Sequence, residues 1–166
     1  MELLTTVENS SFGLWVRESG SVWAYPTIIF LHSLGLSFLV GMNVVIDLRV
    51  LGVAQRVPIA PLEGLFPIMW FGFWVNTASG VALLVADAST MLLSPIFWLK
   101  MVCIVAAMIT MVLVRRLLFR SPPAEPPGLP FKAKLLAVSS LVLWTGAITA
   151  GRLTAYLGPI AGLLKR

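Results

Sequence analysis

Hydrophobic residues fall along this chain in four blocks, and proline or charged residues stand at their ends. About 20 apolar residues cross the hydrocarbon core of a bilayer as a helix. The first block predicts a span over about 24–46, with Asp47 and Arg49 leaving at its far end. Pro26 falls in its first turn, where a missing N–H costs nothing. The second span is expected over about 65–86. The third is expected over about 96–114, started by Pro95 and ended by Arg115 and Arg116. The fourth is expected over about 135–157. Mostly short connections imply an antiparallel up-down arrangement. The fold class is therefore all-α: an integral membrane four-helix bundle forming a single domain over 1–166. The one long connection, SPPAEPPGLP at 121–130, reads as an extended, semi-rigid linker. Ahead of the first span, Phe12, Trp15 and Val16 share a helical face, which predicts a short interfacial helix over about 10–23. Trp23 and Tyr25 mark the headgroup level.

The polar positions inside the spans are few and patterned. In the first, His32, Gly35, Leu39, Asn43 and Asp47 fall along one helical face, and Ser33, Ser37 and Gly41 make a neighbouring row of small residues. The second repeats Gly72, Asn76 and Gly80 every four residues. Small-residue rows let helices approach closely in lipid, so both rows are expected in helix packing, within the chain or between chains, with Asn76 as an interhelical hydrogen-bonding group. The fourth span carries Thr145, Thr149, Arg152 and Tyr156 on one face. A polar stripe in hydrocarbon must meet protein, cofactor or water, so any chemistry is expected on the His32 stripe.

Composition sharpens this picture. The chain is 58% hydrophobic and 11% charged, against roughly a quarter charged for soluble domains. Its net charge of +5 comes from basic residues at span ends, which suits membrane anchoring and not nucleic acid. Arg49, Arg56, Arg115, Arg116, Arg120, Lys132 and Lys134 share one side; Arg17, Lys165 and Arg166 lie on the other. The first side is expected to be cytoplasmic, with both termini outside. The opening MELLTTVENSS lacks a basic n-region and a continuous apolar core, so no cleavable signal is expected. Cys103 is a single cysteine in an apolar run and allows no intramolecular disulfide. No phosphate loop, zinc-type spacing, hydrolase elbow or paired carboxylates occur, which argues against a primary pump and against catalysis by the chain alone.

In this orientation His32, Asp87, Lys100 and Arg152 fall in one outer layer, because a helix rises about 1.5 Å per residue. His32, the sole histidine, has three readings: an interhelical hydrogen-bonding residue, a haem-iron or copper ligand, or a proton relay. A bis-histidine haem needs a second chain, whereas Met42, Met69, Met101, Met108 and Met111 leave a His–Met haem open. Arg152 pairs either with Asp87 or a backbone carbonyl at the interface, or with an anion such as a haem propionate or lipid phosphate. Lys100, one turn inside its span, either snorkels outward or joins that site, as does Asn43. Asp47 and Arg49 form an ion pair, cap the helix or set topology.

The runs WAYPTIIFLHSLGLSFLVGMNVVIDLRVLG, GFWVNTASGVALLVADA, PIFWLKM and GRLTAY resemble an uncharacterised family of small bacterial inner-membrane proteins, a domain of unknown function. The most specific pieces are His32, Leu34, Gly35, Asp47, Leu48, Arg49, Leu51 and Gly52, with the Phe97–Lys100 segment. More distantly the chain is similar to copper-resistance D-type proteins and four-helix b-type cytochromes, which implies haem or copper. Many members of the resembled family carry another histidine late in the third span, where this chain has Thr110, Met111 and Val112. That departure argues against a bis-histidine haem within one chain. The leading expectation is a small inner-membrane redox or metal-handling subunit, with His32 as ligand and Arg152 as anion partner. The alternatives are an accessory subunit of a larger membrane complex, or a homo-oligomer of that kind, and more weakly a small-solute or proton transporter.

Overall fold

The computed structural model describes residues 2–120 and 129–163, with side chains up to Thr154 on the last helix. The described residues form seven α-helices and no strand. Four of these helices are long and apolar enough to cross a membrane. The first, α3 (Tyr25–Leu51), follows two short helices, α1 (Glu2–Glu8) and α2 (Ser11–Glu18). Then come α4 (Leu65–Ala86), a short α5 (Ala88–Leu92), α6 (Pro95–Arg115) and α7 (Phe131–Leu163). A 3₁₀ turn, Ala60–Gly64, leads into α4, and a π-helical turn, Arg116–Arg120, ends α6.

The membrane helices form two antiparallel hairpins, α3 with α4 and α6 with α7, joined mainly through α3 against α7. At the arginine-rich end α4 also meets α6. Arg115 lies 3.7 Å from Glu63 and stacks 5.2 Å above the Phe66 ring, while Phe66 meets Phe119 edge-on at 5.8 Å. The core between the hairpins holds Leu39, Ile46, Phe66, Met69, Met111 and Trp144. The outer faces keep Phe30, Phe71, Trp74 and Trp98 exposed, as helices that meet lipid require.

Two glycines fix the first hairpin. A Cβ on Gly35 would stand 2.6 Å from Asn76 N and 2.8 Å from Gly72 O, and one on Gly72 would stand 2.7 Å from Gly35 O. The backbones of α3 and α4 therefore touch. Gly52 ends α3 in the left-handed region, at φ 101°. It lets Val53 N donate to Leu48 O at 2.9 Å, a bond that closes the helix end.

The described spans run longer than the hydrophobic blocks, beginning at Phe131 for the fourth and ending at Leu51 for the first. The N-terminal region differs in kind from the single interfacial helix expected over 10–23. It is two helices, with α2 packed on α4 and α1 on α5. Val16 is fully buried while Phe12 and Trp15 stay exposed, so the apolar face is split between protein and surroundings. Glu8 is buried at this junction, and its Oε1 accepts from Ser89 N at 2.6 Å. The linker of 121–130 lies outside the described residues except for its last two.

Candidate functional site

The buried face of α3 is the stripe of polar and small positions. Gly35, Leu39, Asn43 and Asp47 are all buried, and His32 is half-buried at the head of the row. Two polar centres lie along it. His32 and Asp47 are 15 positions apart, which is about 22 Å of helix rise.

The first centre is a consequence of the glycine contact. With α3 against α4, each side chain of the pair His32 and Asn76 reaches the other's backbone. Asn76 Nδ2 donates to His32 O at 2.7 Å, and His32 Nδ1 lies 3.0 Å from Asn76 O. A carbonyl oxygen only accepts, so Nδ1 carries the proton. Ser79 Oγ spends its own proton on Val75 O at 2.6 Å and stands 3.2 Å from His32 Nδ1 as a second acceptor. Gly80 leaves room for the ring: a Cβ there would lie 3.2 Å from His32 Cε1. The imidazole is thus oriented with Nδ1 engaged and Nε2 free to act as the acceptor or ligand, the usual support for a metal-binding histidine. Among the described residues Nε2 has no hydrogen-bond partner. Trp144 Nε1 is the one fully enclosed side-chain nitrogen or oxygen without a partner there, so Nε2 is open to its surroundings.

Lys100 of α6 lies close enough to act on His32 electrostatically. Its stem crosses α7 at Gly151, where a Cβ would lie 3.6–3.7 Å from Cδ, Cε and Nζ. No carboxylate pairs with Lys100 among the described residues. Asp87 caps the turn into α5, where Met91 N donates to its backbone oxygen at 3.1 Å. No ion pair joins Asp87 to Arg152 among the described residues. Arg152 is exposed, as are Thr145 and Thr149. That face of α7 points away from the bundle, and Tyr156 lies outside the described side chains. The face α7 buries is Ala133, Ala137, Ser140, Trp144, Ala147 and Ala150. Layer arithmetic therefore brings His32 and Lys100 together but leaves Arg152 outside.

The second centre lies near the arginine-rich end. Asn43 Nδ2 donates to Asp47 Oδ2 at 2.6 Å and to Ser140 Oγ at 2.7 Å. Ser140 Oγ accepts from Asn43 there, which leaves its own proton for another acceptor. All three residues are at most 2% exposed. Asn43 therefore belongs here and not with His32. Asp47 does not pair with Arg49, whose Nε donates to Val57 O at 2.6 Å and whose Nη2 donates to Gln55 O at 3.0 Å. Ser140 carried no signal in the sequence: one of two adjacent serines in an apolar helix, it matters only once α7 is laid against α3.

The two small-residue rows part company. Gly72 and Asn76 sit in the α3–α4 contact, and Gly80 faces His32. Ser33, Ser37 and Gly41 are exposed, with open space where a Gly41 Cβ would stand. Ser33 Oγ and Ser37 Oγ donate to carbonyls of their own helix. Within the chain the α3 seam is Gly35, inside the polar stripe.

No group of three or more His, Cys, Asp or Glu side chains converges among the described residues. A complete metal shell from this chain does not fit that donor set, whereas a single imidazole ligand does.

These features define a small four-helix membrane protein with two polar centres inside its bundle. The chain belongs to the family of unknown function DUF6644, whose profile matches residues 4–157. No curated protein and no solved structure matches it.

Proposed function

We propose that this protein is a small subunit of a membrane redox assembly that contributes one histidine ligand, His32, to a haem-type group shared with another polypeptide. The observation that carries this reading is the imidazole clamp: Nδ1 held by Asn76 O and Ser79 Oγ, with Nε2 unengaged. Lys100 favours one of the two candidate groups. An ammonium beside the ligand repels a bare copper ion and attracts the carboxylates of a haem. Lys100 thus takes the anion-binding role first expected of Arg152. A haem held there would supply one-electron transfer. The residues of this chain orient the ligand and neutralise an anion. A second histidine for such a group would come from another chain, since His32 is the sole histidine here. In this reading the protein sits in a bacterial inner membrane with the Arg49 end cytoplasmic and the His32 end outward, an orientation that the placing of the basic residues supports.

A second reading, a non-catalytic subunit packed against a larger complex, draws support from the outward row Ser33, Ser37 and Gly41. One experiment separates the two. Protein isolated from its native membrane is examined by visible spectroscopy and metal analysis. The haem reading requires a Soret band that His32→Ala removes and Lys100→Ala weakens. Wild-type protein with neither chromophore nor metal sinks it and leaves the accessory role. Bound copper without such a band replaces haem by copper.

A further inference from the structure

The Asp47 centre is not used by the His32 reading. It is a carboxyl group enclosed in the bundle of a membrane protein, one turn before α3 ends at Leu51. An ionised carboxylate in such a place usually has a cation for a partner. This one has none among the described residues. At its end of the bundle, α3 carries Arg49, bonded to the carbonyls of Gln55 and Val57. Arg115 of α6 pairs with Glu63 ahead of α4. The remaining charges, Arg56, Arg116, Arg120, Lys132 and Lys134, are exposed.

What surrounds Asp47 is neutral and adaptable. With Asp47 ionised, the two N–H groups of Asn43 serve Asp47 and Ser140, and the Ser140 hydroxyl proton is left to turn toward the carboxylate. A half-turn of the Asn43 amide puts Oδ1 where Nδ2 stands. A protonated Asp47 then donates to that oxygen, and so does Ser140. Only the oxygen and nitrogen of that amide exchange places. The contacts of 2.6 and 2.7 Å fall in the range of O–H···O bonds as well as of short charge-assisted N–H···O bonds. The network therefore accommodates either protonation state without moving a helix.

We propose that Asp47, held by Asn43 and Ser140, is a proton-binding site inside the bundle, filled from water at the Arg49 end. The step is a single proton transfer: a hydronium ion gives its proton to the Asp47 carboxylate and leaves as water. No other group changes charge, and the amide of Asn43 turns to match.

The test uses the full-length protein in lipid vesicles, with infrared difference spectra recorded as the buffer pH is stepped. The wild type is expected to show a protonated-carboxyl C=O band that grows and fades reversibly while helicity is retained, and that shifts in heavy water. Asp47→Asn should remove it. Ser140→Ala should keep the titration but displace the band, because Asn43 Oδ1 then accepts from protonated Asp47 alone and that hydrogen bond strengthens. If Asp47→Asn does not fold, Ser140→Ala carries the test alone. A band untouched by both variants, no band at any pH, or a band constant at every pH overturns the proposal. So does a carboxylate signal that responds to sodium or potassium at fixed pH, which would make the site one for metal cations.

Discussion

Replacing Gly72 by alanine probes the contact that builds the His32 centre. The new Cβ would stand 2.7 Å from Gly35 O, 2.8 Å from Leu39 N and 2.9 Å from Phe38 Cβ. Two of these atoms are backbone and cannot rotate away. Non-bonded carbon contacts settle near about 3.5 Å, so α3 and α4 must part by roughly 0.7 Å. Overpacking of this kind costs about 1–3 kcal/mol. The same movement stretches the two bonds between His32 and Asn76, now 2.7 and 3.0 Å. Interhelical hydrogen bonds in membrane bundles are worth roughly 0.6 kcal/mol each, which adds about 1 kcal/mol. Alanine returns about 1 kcal/mol through its better helix propensity. The expected net loss is about 1–3 kcal/mol. The control is Gly41→Ala, where open space awaits the methyl group and propensity alone acts, giving no loss or a gain of up to about 1 kcal/mol. Unfolding in mixed micelles by stepwise addition of sodium dodecyl sulfate, followed by circular dichroism, measures both. If Gly72→Ala stays within about 0.5 kcal/mol of wild type, or Gly41→Ala costs as much, the argument from backbone contact is wrong.

Gly80→Ala meets only the edge of the His32 ring, at 3.2 Å, so it should cost less than Gly72→Ala; the reverse order in the same assay would count against the clamp. Glu8→Ala removes the acceptor of the Ser89 N–H and should loosen α1 by about 1–3 kcal/mol, seen as faster proteolysis near the N-terminus with the four spans unchanged. Arg115→Ala breaks a half-exposed ion pair and a cation–π contact and should cost no more than about 1 kcal/mol; a larger loss would show the pair to be better shielded than its exposure indicates. Reporter fusions in 52–64 and 121–130 should both read cytoplasmic, and a periplasmic result at either would reverse the assigned orientation.

The four spans were legible because hydrocarbon imposes a length and a composition that few other environments demand. The buried stripe of α3 was legible too, since Gly35, Leu39, Asn43 and Asp47 follow helical spacing. Partners on other helices were harder to see. Asn43 and Ser140 are 97 positions apart, and nothing local in α7 distinguishes Ser140 from its outward neighbour Thr145. Depth arithmetic assigns a layer but not a direction around the helix, which is why Arg152 shared a layer with His32 without facing it. The short helices α1 and α5, and the early end of α2 at Glu18, escaped for another reason. Helices of 5–8 residues do not hold themselves, and tertiary docking, such as Glu8 on Ser89, decides them. The α3 seam was assigned to Ser33, Ser37 and Gly41, whereas the backbone contact within the chain is made at Gly35.

Arg49 has a consequence for how this chain can change over evolutionary time. Its guanidinium grips the loop after α3 by the carbonyl oxygens of Gln55 and Val57. Every amino acid offers a carbonyl, so the side chains of that loop are free to drift. The number of residues between the arginine and its two oxygens is not, because one insertion or deletion moves both acceptors out of reach. Related sequences are therefore expected to vary in letter across 53–58 while keeping its length. A homologue that loses Arg49 should be the one in which the loop grows or shrinks.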